Sequence, residues 1–202
     1  TRRLYAERLI HETLRIILPT VASLVVATLM LNAFDVVWDY RGLRWAILTT
    51  PFIDLLAAIG SAMALLLAKK LLIGKYKPTV QPLWSRFVWK TETFAMFFHD
   101  FAGQLFVSTL LGTPYMAMFL RFMGAKVGRR AFIDSFDLTE FDLLSIGEDA
   151  AINFNAPLQA HLFEDRVMKM GRISIGDRCS VGMFSVVLFD SVLENDSHVG
   201  HI

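Results

Sequence analysis

The feature that most narrows the fold is a six-residue period that begins at Val127. Aliphatic residues fall at Ile175, Val181, Val187, Leu193 and Val199, and a small residue stands four positions after each of the first four: Cys179, Ser185, Ser191 and Ser197. Upstream, Val127 with Ala131, Ile146 with Ala150 and Ile152 with Ala156 repeat the pattern. A kept period marks a solenoid, because each unit buries its apolar side chain only by stacking on its neighbours. Six residues suit one flat face of a triangular coil, with the aliphatic residue inside and the small residue in the corner. The expected domain over 124–202 is a left-handed parallel β-helix of hexapeptide repeats, against the usual right-handed preference of parallel crossovers. Glycine follows the aliphatic at 128, 147, 176, 182 and 200. It is expected to ease the turns, where other residues meet forbidden backbone angles. Ile133 and Thr139 keep the phase, but the step from Thr139 to Ile146 is one residue too long and predicts a bulge. The segment QAHLFEDRVMKMGR, 159–172, abandons the period and is expected to leave the coil as a loop.

Before the coil the chain changes character. Of the 202 residues, 54% are hydrophobic and only 19% charged. The mean hydropathy of +0.48 is high for a soluble domain. Residues 13–34, TLRIILPTVASLVVATLMLNAF, carry no charge after Arg15, which is long enough to cross a hydrocarbon core. A second span is expected from Trp45 to Ala68, with DVVWDYRGLR at 35–44 as the interfacial turn. Two transmembrane helices and a juxtamembrane connector therefore occupy 1–81. Basic residues precede the first span (Arg2, Arg3, Arg8, Arg15) and follow the second (Lys69, Lys70, Lys75, Lys77). The positive-inside rule places both ends, and the β-helix after them, on the cytoplasmic side. From 82 to 123 an aromatic stretch is broken by Lys90, Glu92, His99, Asp100 and Gly112-Thr113-Pro114, and reads as an interfacial or re-entrant helical segment. The chain opens on Thr1 rather than Met and stops at Ile202 within a repeat, which suggests a longer polypeptide.

A net charge of +1 gives no footprint for nucleic acid. The single Cys179 excludes an internal disulfide and a multi-cysteine metal site, and no metal is expected. Chemistry concentrates on loops held by rigid scaffolds, and 159–172 holds His161, Glu164, Asp165 and Arg166. A histidine titrates near neutrality, so His161 can serve as a general base with Glu164 fixing its tautomer. The same residues also suit a solvated surface loop. Asp137, Glu140 and Asp142 in DLTEFD can hold a substrate ammonium or form a solvated acidic face. Asn153, Asn155 and Gln159 can line the same groove or form a structural ladder. His99 and Asp100 are ionisable groups in an apolar segment. His198 and His201 read as surface residues. HExxH, P-loop and GxSxG motifs do not occur in the sequence.

The segment DLTEFDLLSIGEDAAINFNAPLQAHLFEDRVMKMGRISIGDRCSVG, 137–182, resembles the C-terminal membrane region of the ε-poly-L-lysine synthetase family of nonribosomal-peptide-synthetase-like enzymes. The resemblance extends back through PLWSRFVWKTE at 82–92 and LLGTPYMAMFLRFMGAKVG at 110–128. It implies an upstream adenylation domain that loads an amino acid on a carrier protein's phosphopantetheine thiol. The membrane region then joins the aminoacyl group to an acceptor amine or growing peptide, with His161 as general base. The DLTEFD carboxylates would recognise the amine. Two other readings remain open: an O- or N-acetyltransferase fed by acetyl-CoA, and a non-catalytic membrane scaffold. The expected partners are membrane lipid, the carrier domain and further copies of the chain, as dimer or trimer.

Overall fold

The computed structural model describes residues 2–201; Thr1 and Ile202, the positions behind the expectation of a longer polypeptide, lie outside the described residues. The chain begins with two helices, α1 (Arg2–Arg41) and α2 (Leu43–Leu72), about 60 and 45 Å long at 1.5 Å per residue. Both are long and apolar enough to cross a membrane. Their apolar side chains, among them Leu24, Leu29, Leu56 and Leu67, face outward. The expected turn over 35–44 shrinks to Gly42, whose φ of 86° a residue with a Cβ adopts only under strain. A helix satisfies its own backbone groups, so it continues through Trp38 and Tyr40 to Arg41 rather than fraying beside an apolar surface.

After β1 (Thr79–Pro82), Ser85 caps α3 (Arg86–Met96) by accepting the Val88 N–H at 3.3 Å. The buried face of α3 carries Val88, Trp89 and Phe94. The helix then widens into a π-helical stretch, Phe97–Val107, a form that is rare and concentrated at functional sites. A single turn, α4 (Ser108–Leu110), leads to Gly112, whose N–H donates to the Ile133 carbonyl at 2.8 Å. Pro114 opens α5 (Pro114–Met123), its missing N–H costing nothing at a helix start.

From Lys126 the chain makes short strands: β2 (Lys126–Val127), β3 (Phe132–Ile133), β4 (Leu144–Ile146), β5 (Ala151–Ile152) and β6 (Leu158–Gln159). A hairpin of β7 (His161–Glu164) and β8 (Val167–Met170) follows. Then come β9 (Ile173–Ile175), β10 (Ser180–Val181), β11 (Val187–Leu188), β12 (Val192–Leu193) and β13 (His198–Val199). Hairpin aside, these strands pair in parallel as three columns: β2-β4-β9-β12, β3-β5-β10-β13 and β6-β11. Val127, Ile146, Ile175 and Leu193 stand in one register, and Ile133, Ile152, Val181 and Val199 in the next. The corner residues Ala150, Ala156, Cys179 and Ser185 are buried. One apolar core runs from Leu65 of α2 through Phe98 and Phe101 to these stacked aliphatics.

Three details differ from the sequence reading. Leu138, fully buried, bridges Leu158 at the position expected of Thr139. The step from Leu138 to Ile146 is thus two residues over the period, and these are absorbed by Glu140 at φ 48° and a 3-10 turn over Phe141–Leu143. Residues 159–172 are not a loop, because β8 pairs antiparallel with β7 and, on its other side, with β1. Asp165 and Arg166, both at positive φ, make the two-residue turn of that hairpin. The coil glycines also serve another purpose. The positive-φ corners are taken by Arg130, Asp149, Asn155, Arg178, Phe184, Asp190 and Asp196, whereas Gly128, Gly147, Gly176 and Gly182 are absent from that set. A Cβ on Gly147 would come within 3.0 Å of the Gly176 backbone, and one on Gly128 would meet Gly147 the same way. These glycines let successive rungs approach.

Gly147→Ala is therefore expected to destabilise the stacked strands by about 1–3 kcal/mol through overpacking. Gly60→Ala, where an added Cβ meets nothing within 4 Å, should not. Thermal unfolding of both variants in detergent, followed by circular dichroism, checks the contrast.

Candidate functional site

The fold brings His161, the first residue of β7, against Glu140 at the irregular corner: His161 Nδ1 lies 2.9 Å from Glu140 Oε2. The left-handed backbone of Glu140 turns its side chain inward, to 1% exposure. A carboxylate buried to that degree persists only when paired and hydrogen-bonded. Here Oε2 also accepts the Thr139 hydroxyl at 2.6 Å, while Oε1 makes no hydrogen bond. Phe163 meets the imidazole edge-on at 5.2 Å. With its Nδ1 proton given to Glu140, a neutral His161 carries its lone pair on Nε2.

Burial pulls the His161 pKa down, but the hydrogen bond and charge of Glu140, aided by Asp137 and Glu92, outweigh it and hold the imidazole above its ordinary value. Glu92 itself, on α3, is pushed up chiefly by burial against the opposing pull of Arg15. Arg15 of α1 reaches Glu92 at 3.6 Å and Glu12 at 3.1 Å. Tyr76 stands well above the usual phenol range, first through burial and then through the Glu140 charge. Asp137 is half exposed, with the His99 Nε2 of the π-helical stretch 3.7 Å away. His99 in turn packs against Phe136. His161, itself mostly buried, thus stands in the field of three carboxylates, of which Asp137 is the most exposed.

The other sequence candidates lie elsewhere. Glu164 is half exposed and accepts from Lys169 Nζ at 2.6 Å, so the carboxylate beside His161 is Glu140. Asp142 accepts from Lys69 Nζ at 2.7 Å and from the Tyr76 N–H at 3.0 Å, both ends of the ion pair being under one-tenth exposed. It joins the end of α2 to the coil. Asn153 spans two rungs, donating to the Val181 carbonyl at 2.7 Å. Asn155 occupies an exposed left-handed corner, and Gln159 lies in β6, paired with Leu188. Asp100 and Asp165 make no hydrogen bond to His161. The repeat and its interruption point to neither Glu92 nor Tyr76, whose contribution comes from elements far from the repeat.

No family model matches the chain, and no solved structure matches it. Over 190 residues, 94% of its length, the chain is 34% identical to the Delta-poly-L-ornithine synthetase of Acinetobacter baumannii (strain AB307-0294). It spans 14% of that protein's length. The chain is thus a distant relative of one part of a poly-amino-acid synthetase.

Removing one member of a buried ion pair leaves the other charge unpaired, whereas replacing both need not. Lys69→Met is expected to cost about 3–5 kcal/mol, and Lys69→Met with Asp142→Leu to recover most of it. Chemical denaturation of the detergent-solubilised protein reads both.

Proposed function

We propose that the chain is a membrane-anchored, left-handed β-helix module that forms amide bonds, passing an aminoacyl group from a carrier-bound phosphopantetheine thioester to an acceptor amine. The observation that carries this reading is the contact between His161 Nδ1 and the buried Glu140 carboxylate. Three columns of in-register parallel strands support the coil, and two apolar helices ahead of them support the anchor. The relationship to a protein named for poly-L-ornithine synthesis supports the amide chemistry.

In this mechanism Glu140 fixes the imidazole so that Nε2 faces the reactants. Asp137 and Glu92 draw the acceptor in as an ammonium ion. The ammonium loses one proton to solvent, and as the lone pair of the resulting amine attacks the thioester carbonyl carbon, Nε2 takes a second proton from that nitrogen. As the tetrahedral species collapses, the carbon–sulfur bond breaks, the amide forms, and the imidazolium returns its proton to the leaving thiolate. No acyl-enzyme is required.

His161→Ala is expected to slow single-turnover amide formation by the full-length protein about 10²–10⁴-fold, the usual span of a general base. Undiminished turnover would overturn the assignment. Because the base must be deprotonated, the rate should rise with pH through the elevated His161 pKa. Glu140→Gln removes two of the effects that raise it, so the rate should fall while the acidic limb of the profile moves to lower pH. Supplying CoA thioesters without the carrier separates the two donor classes.

A further inference from the structure

The second span carries a carboxylate that the site around His161 does not use. Asp54 lies in α2, nine residues beyond Trp45, about 13 Å along the helix axis. If Trp45 sits at an interface, Asp54 falls close to the midplane of a hydrocarbon core about 30 Å thick. Ionisable groups at that depth mark ligand or ion pathways. Asp54 lines a groove of about 560 Å³ between α1, α2 and the π-helical stretch, with Val26, Met30, Leu105 and Phe106 as its apolar walls. Ser61, two turns further along the same face, lines the groove too; it is 3% exposed and its Oγ has no hydrogen-bond partner.

The charge in the groove selects among occupants. Among the described residues no ion pair or hydrogen bond engages Asp54. Neither α1 between Arg15 and Arg41 nor α2 between Arg44 and Lys69 contains a lysine or arginine. A second copy therefore has no cation to offer at this depth. A lipid ammonium headgroup resides at the interface, roughly 15 Å away across half the hydrocarbon core. An alkylammonium group on a slender methylene stem meets the requirements. Its stem fits the apolar walls, its cation pairs with Asp54, and a polar group behind the stem reaches Ser61 Oγ.

We propose that the groove between α1, α2 and the π-helical stretch binds alkylammonium side chains or diamines, with Asp54 as counter-ion and Ser61 as the second polar contact. The proposal rests on reading α1 and α2 as membrane spans and deepens the amine chemistry assigned to the chain. It adds a binding site for the cationic reactant or product, separate from His161.

The test uses the full-length protein in phosphatidylcholine nanodiscs and the probe N-dansyl-1,5-diaminopentane, with N-dansylpentylamine as the probe lacking the ammonium. Saturable binding of the first probe by wild type is expected, displaced by 1,5-diaminopentane and weakened at least tenfold in Asp54→Asn. The second probe should bind wild type and variant alike. Equal binding of the cationic probe by both proteins would overturn the site. Failure of wild type to bind it saturably would do the same. Nanodiscs with added phosphatidylethanolamine should leave the affinity unchanged, and competition by that lipid would overturn the assignment to a stem-borne amine. Release of the wild-type protein from membranes by alkaline carbonate would overturn the spanning reading, an outcome distinct from equal probe binding. Circular dichroism of Asp54→Asn confirms that a loss of binding is not a loss of fold.

Discussion

The candidate site depends on one buried carboxylate. A regular hexad leaves no room for a glutamate inside the coil, where each inward position is aliphatic or small. The eight-residue step from Leu138 to Ile146, two longer than the period, makes the exception. It forces Glu140 into a left-handed conformation, closes a 3-10 turn behind it and drives the side chain out of solvent. Left alone, that charge would oppose folding by several kcal/mol. Thr139 and His161 supply hydrogen bonds to one oxygen and thereby offset part of the cost. The irregularity in the repeat and the placement of the histidine are therefore one structural event.

The helices complete what the coil begins. Asp142, two residues beyond Glu140, is neutralised by Lys69 at the end of α2, while Phe141 between them packs edge-on against Phe98 at 5.2 Å. The same short turn so carries the partner of His161, an aromatic anchor and an ion-paired tether. The π-helical stretch brings His99 toward Asp137, and α3 brings Glu92 into the field felt by His161. Changes in the seating of the helices would reach the imidazole through these contacts.

Much of the register of the parallel strands was legible because a six-residue period dictates it. Ile146, Ile152, Ile175 and Val181 stack where their spacing places them, and Ala131, Ala150, Ala156, Cys179 and Ser185 are buried as that geometry requires, whereas Ser191 and Ser197 nearer the end of the stack are only half-buried. The hairpin was not legible. Its third strand, β1, lies far upstream, and no local pattern announces a pairing of such separation. Glu164 looked like the partner of His161 because it is near in sequence, but residues three apart on a strand point to opposite faces. Glu140 is the partner because stacking brings an earlier coil beneath β7. The glycines were assigned to turns on general grounds, yet rung-to-rung distance, visible only in three dimensions, is what excludes a Cβ at Gly147.

In the proposed reaction, the electrostatics around His161 balance two demands on a base. Surrounding His161 with Glu140, Asp137 and Glu92 makes Nε2 more basic and so better able to remove a proton from an ammonium-derived nucleophile. The same surroundings keep a larger fraction of the imidazole protonated at neutral pH, where it cannot accept. A cationic acceptor eases that conflict as it binds, since its positive charge disfavours the imidazolium and lowers the pKa of His161. These acidic surroundings would thus favour the proposed proton acceptor most when an amine is in place, a coupling that a neutral hydroxyl acceptor would not provide.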